Sequence, residues 1–171
     1  PRETTVVSAE GVGPSGPFEV SVSETDRPAQ EPFPEFMQVN FGITTQRGQQ
    51  YAVTLRYEVR RSVFDETTYQ GQPYRAIGWA PPQWPLPIHT QIIDYVLPIE
   101  LPSTIQQPED VTQEVVDAVG FVAAGEGSQY DRWVFYPTPD EATGKTFLSL
   151  RVEWNNVPAE GHMMPRFYLS G

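Results

Sequence analysis

Hydrophobic and polar positions alternate with a period of two along much of this chain. The longest run is Tyr51, Val53, Leu55, Tyr57 and Val59, interleaved with Ala52, Thr54, Arg56, Glu58 and Arg60. Successive side chains of a strand point to opposite faces, so this run predicts a strand with one apolar and one wet face. Leu148, Leu150, Val152 and Trp154 repeat the pattern, with Ser149, Arg151 and Glu153 turned outward. Phe18, Val20 and Val22 form a further set, as do Met37, Val39, Phe41 and Ile43, and residues 133–136 and 166–169 are shorter candidates. Segment 92–101 is apolar on both faces, at Ile92/Ile93 and Val96/Leu97, which predicts a central strand.

Turn signals separate these runs at 45–48, 69–73, 142–145 and 158–161, each holding glycine or proline. The loop between Ile43 and Tyr51 contains Gly48 and predicts a hairpin joining the strands on either side. One short helix is expected near 109–119. Pro108, Glu109 and Asp110 suit a first helical turn, Val111, Val115, Ala118 and Val119 share a face, and Gly120 can end it. The rival reading is a strand over 115–123, where Val115, Val119 and Val122 are β-branched. The predicted fold is all-β, an antiparallel β-sandwich of jelly-roll or immunoglobulin-like type. Gly11, Gly13, Pro14, Gly16 and Pro17 interrupt the beginning of the chain. Residues 1–17 are therefore expected to be an extended N-terminal arm, and residues 18–171 a single sandwich domain.

Composition narrows what such a domain can do. With 171 residues, a chain can bury about 70% of its unfolded surface and needs no covalent staple. It has no cysteine, which excludes disulfides and thiolate metal sites. The formal net charge is −11, from 22 acidic and 11 basic residues, and Lys145 is the only lysine. Nucleic-acid and anionic-membrane binding depend on excess Lys and Arg, so neither partner suits this chain. No apolar run approaches the ~20 residues of a membrane-spanning helix, so no direct membrane insertion is expected. Its 18 prolines and 13 glycines stand beside 21 aromatic residues, which favours a folded, loop-rich sheet protein over disorder. The chain opens on Pro1 and is expected to be a piece of something longer.

Candidate chemistry is sparse. Gly11, Gly13 and Gly16 match G-x-G-x-x-G, but the run that follows alternates as a strand and Pro14 removes an amide, so a turn is predicted and no dinucleotide cofactor. His89 and His162 are the only histidines, without metal-ligand spacing, and no G-x-S-x-G elbow occurs. Glu58 and Glu153 are strand carboxylates of the kind a glycosidase pairs, yet Glu58 lies between Arg56 and Arg60, as in an ordinary surface ion pair. Asp65–Glu66, Glu109–Asp110 and Asp140–Glu141 are adjacent acids without a calcium-loop pattern. No catalytic residue and no metal site are predicted.

The most distinctive stretch is 79–87, Trp-Ala-Pro-Pro-Gln-Trp-Pro-Leu-Pro. Its prolines favour an extended run outside a sheet interior. Trp79, Trp84, Pro82 and Pro85 are the candidate binding residues. The tryptophans could stack on sugar rings, pack on a protein partner, or plug an end of the domain itself.

Three segments carry a family resemblance: Tyr51-Ala-Val-Thr-Leu-Arg-Tyr-Glu-Val, Trp84-Pro-Leu-Pro-Ile, and Tyr95-Val-Leu-Pro-Ile-Glu-Leu-Pro. Together they resemble the extracytoplasmic domain of a family of bacterial membrane proteins of unknown function. The resemblance implies a β-sandwich displayed outside the membrane and supplies no catalytic residue. The expected function is a non-catalytic binding or structural module acting through protein partners or self-assembly. The arm would add a strand to a neighbour. Alternatives are a capsid or shell subunit, and a glycan-binding or glycoside-hydrolysing sandwich built on Trp79, Trp84, Glu58 and Glu153.

Overall fold

The computed structural model describes residues 4–24, 37–60, 62–77, 86–123, 130–159, 161, 163 and 165–170. The chain divides into two compact units, Pro1–Arg61 and Ser62–Gly171, where one domain from residue 18 onward was expected. Both are built from antiparallel strands, as the alternating sequence predicts.

In the first unit, β1 (Thr4–Gly13) lies between β2 (Gly16–Phe18) and β5 (Ala52–Val59), and β3 (Val20–Glu24) pairs with β4 (Met37–Phe41). The expected arm is therefore a sheet strand. Thr4, Thr5, Val6 and Val7 have the β-branched side chains that suit one. Gly11, read from sequence as a breaker, is required by packing: a Cβ there would collide with the Phe18 ring, which covers the site. That ring also meets Phe41 and Tyr51, at centroid distances of 5.6 and 6.2 Å. β5 alternates between half-buried and exposed residues throughout, as its pattern predicts. The expected hairpin between the strands around Gly48 does not form, because β4 pairs with β3 and β5 pairs with β1. Loop glycine signals a turn; it does not choose the partner strand.

The second unit has a three-stranded sheet and a four-stranded sheet. The first is β10 (Arg132–Asp140), β11 (Lys145–Val157) and β8 (Ile88–Glu100), in that order. The second runs β6 (Phe64–Tyr69), β7 (Gln72–Ile77), β12 (Phe167–Ser170), β9 (Phe121–Ala123). Leu148, Leu150 and Val152 of β11 are fully buried, and Ile93, Tyr95 and Leu97 of β8 join them. Rings tie the two sheets: Tyr95 packs edge-on against Phe167 at 4.8 Å, and Phe121 touches both Phe135 and Phe167. Burying each such side chain contributes about 1.5–3 kcal/mol, so this shared core holds the unit together.

The helical segment is shorter than its sequence suggests. Pro108–Asp110 is a 3-10 turn and α1 spans only Gln113–Ala118, with Val116 buried and Val111, Val115 and Val119 packed on the core. Gly120 ends it at φ +71°, where a Cβ would collide with the Ser170 side chain. The chain then enters β9, so the helix and strand readings of 109–123 each hold over part of the segment. Among the described residues, no helix is long and apolar enough to cross a membrane.

Candidate functional site

β11 is the middle strand of its sheet, and β8, expected to be central, lies at an edge. A strand apolar on both faces is usually buried on both. In β8 only the inner row is covered: on the outer face Ile92 remains 50% exposed and Val96 57%. These residues flank Asp94, which is paired with Arg151 on that face.

Register brings the polar side chains of the face together. Asp94 stands opposite Arg151, and Ser149 lies between Val96 on one side and Tyr136 on the other. Arg151 grips Asp94 with two hydrogen bonds, Nε to Oδ1 at 2.7 Å and Nη2 to Oδ2 at 2.9 Å. The Tyr136 hydroxyl donates to the same Oδ1 at 2.9 Å, and the guanidinium lies 5.8 Å from the Tyr136 ring centre. The hydroxyls of Thr138 and Ser149 pair at 2.6 Å. Ser149, predicted to be on the wet side, is fully buried, while Arg151 on the same row is exposed as expected.

Electrostatics fixes the charge state of this cluster. The Arg151 hydrogen bonds hold the Asp94 carboxyl below its ordinary value, and Asp94 in turn raises Arg151. Burial, then the bond to Asp94, pushes the Tyr136 hydroxyl up. Each shift moves its group further from neutrality, so the trio holds one pattern of protons across the neutral range and works as a clasp. It binds β8, β11 and β10 across the sheet.

The backbone of the two sheet edges differs sharply. The Asn155 amide is turned toward β10, where it donates to Oδ2 of Asp131 at 2.6 Å. In an antiparallel sheet amides alternate sides, so those of Leu150 and Val152 face β8 and meet Tyr95 and Ile93 in register. The N–H and C=O groups of Thr90, Ile92, Asp94 and Val96 therefore point away from β11. No strand pairs with that side of β8 among the described residues. Proline interrupts β8 only at Pro98, where the register bulges between Val96 and Glu100. On β10, Pro137 and Pro139 stand two apart, so both of their missing donors fall on the side away from β11.

Other candidates fall elsewhere. Trp79, Trp84, Pro82 and Pro85 lie outside the described residues, as does His162. Glu58 is exposed on β5 in the first unit; Glu153 is half-buried on β11 in the second and accepts from Nδ2 of Asn155 at 3.2 Å. Two of the acidic turns use their carboxylates locally: Asp110 accepts from the amides of Gln106 and Gln107, and Asp140 from Ala142 and Thr143. Among the described residues no group of three or more potential metal ligands converges. Tyr69, Tyr74 and Tyr168 cluster in the four-stranded sheet, but Tyr69 and Tyr168 stack on one another at 4.7 Å, so those ring faces are not a platform for sugars.

The signal for the open edge was present in the sequence. It is the contrast between Pro137 and Pro139, two apart in one strand, and the proline-free, doubly apolar run 88–97 in another. Comparison with protein-family models, curated proteins and solved structures finds no match to this chain.

Proposed function

We propose that the chain is a non-catalytic β-sandwich module that acts through protein contacts, and that the outer face of the β8–β11–β10 sheet is the surface it uses. The observation that carries this reading is the pair Ile92 and Val96, half-exposed on either side of an internally neutralised Asp94–Arg151 clasp. Apolar side chains beside satisfied polar groups are what the middle of a protein interface requires, since the polar groups need no new partner when water leaves. A face whose protons are fixed across the neutral range suits binding better than acid–base chemistry. The family resemblance adds an extracytoplasmic location to this reading, with the module held at a cell surface.

A photo-crosslinking side chain placed at position 92 or 96 tests this in the cells that make the protein. One dominant protein adduct, identifiable by mass spectrometry, is expected from each, with none from the same label at Glu66 on the other sheet. Equal labelling from all three positions, or none from 92 and 96, overturns the reading.

A further inference from the structure

We infer that the open edge of β8 receives an extended, positively charged segment of another protein as an added β-strand. This rests on the protein-contact reading above and specifies the partner's form and charge.

Proteins with sheets suppress unpaired edges by shortening them, charging them or removing donors with proline. The other edges of the second unit follow that rule. β10 carries Pro137 and Pro139, β9 has 3 residues, and β6 carries Asp65 and Glu66, whereas the acids of β8, Asp94 and Glu100, are each paired with a cation, Arg151 and Lys145. β8 has 13 residues, with its only proline, Pro98, inside the bulge near its C-terminal end. Among the described residues its outward row at Thr90, Ile92, Asp94 and Val96 has no strand partner for its donors and acceptors, and Ile92 and Val96 supply exposed apolar side chains beside it. Strand addition uses these two features together: main-chain hydrogen bonds give affinity, and alternate side chains give selectivity.

Charge selects the occupant. Of the 22 acidic residues, 14 lie in Ser62–Gly171, against five of the 11 basic ones. A segment alternating apolar and basic residues would be drawn toward this field and would set its apolar side chains beside Ile92 and Val96. A second copy is a poorer fit. Each copy carries −11, and the two-fold antiparallel register that sets Ile92 opposite Val96 also sets Asp94 opposite Asp94.

The whole chain is titrated with an end-blocked peptide alternating valine and lysine, with its valine–glutamate counterpart as control, while amide exchange is followed by NMR. Exchange at Thr90, Ile92, Asp94 and Val96 is expected to slow by about tenfold or more with the lysine peptide as the bound fraction rises. It should stay unchanged with the glutamate peptide. N-methylation of alternate residues along one side of the lysine peptide is expected to abolish binding, and along the other side to preserve it. Val96→Pro is expected to lose binding too, and the methylated peptides decide the question without any variant. Binding that leaves these amides untouched, equal slowing by the glutamate peptide, or indifference to N-methylation on either side overturns the inference. So does a doubling of mass in the chain alone that protects the same amides, which would make a second copy the occupant. If adducts still form specifically at 92 and 96, only the strand-addition inference falls; if they do not, the protein-contact reading falls with it.

Discussion

β10 and β8 flank the same strand, β11, and are anchored to the same core, yet they finish their sheet in opposite ways. β10 turns two missing donors outward at Pro137 and Pro139, so its edge cannot template another strand. β8 keeps its donors from Ile88 to Leu97 and holds Ile92 and Val96 half-exposed above them. Stability asks nothing of those exposed positions. Among the described residues one edge of the sheet is closed by proline and the other has no strand beside it.

The largest effect expected of a substitution is on the strand both edges share. Leu150→Ala, at a fully buried site, should lower unfolding stability by about 2–5 kcal/mol in chemical denaturation. Val96→Ala, on the outer face, should change it by less than about 0.5 kcal/mol. Comparable losses for the two would mean that Val96 belongs to a core, and the contrast between inner and outer rows of β8 would collapse.

Next in size is a change of association. Replacing Pro137 and Pro139 together by valine gives β10 the donors it lacks. Stability should shift by no more than about 1 kcal/mol, but light scattering should show association rising with concentration in the variant. A variant that behaves as the parent at every concentration would mean that the prolines do not guard this edge.

The smallest effect concerns the clasp. Asp94 has its carboxyl held below the ordinary value by Arg151, so its contribution is fully present above the unfolded value near pH ~4 and is lost as pH falls through the lower folded value. Asp94→Asn should therefore be less stable than the parent at neutral pH, with the gap closing as the solution is made acid. The pair is largely solvent-exposed, so the gap is small. A gap that widens in acid would mean that the carboxylate is not stabilised by its pairing with Arg151.

Local alternation carried most of the fold. The runs 51–59 and 148–154 are strands because period-two patterning and pleat geometry are the same constraint read at two levels. What sequence alone did not show were properties of neighbours. Gly11 and Gly13 looked like breaks in an arm, but the need for glycine at 11 comes from the Phe18 ring, supplied across the sheet by β2. β8 looked central because two apolar faces normally mean two covering layers; the same pattern also describes an edge with an apolar outer face. Strand 133–136 was read too short: an edge strand continues through prolines that face away from its partner, here Pro137 and Pro139. The binding residues read from sequence, Trp79 and Trp84 with Pro82 and Pro85, lie outside the described residues, and composition alone does not show which side of a strand lacks a partner.

The central claim is that β8, which has no strand on its outer side among the described residues, keeps that side unpaired in solution. Residue-by-residue amide exchange on the free chain measures it. Ile93 and Tyr95, bonded to β11, should exchange slowly, and Ile92, Asp94 and Val96 between and beside them quickly. Uniform slow exchange from Ile92 to Val96 would show that the edge is already occupied, and would contradict the account.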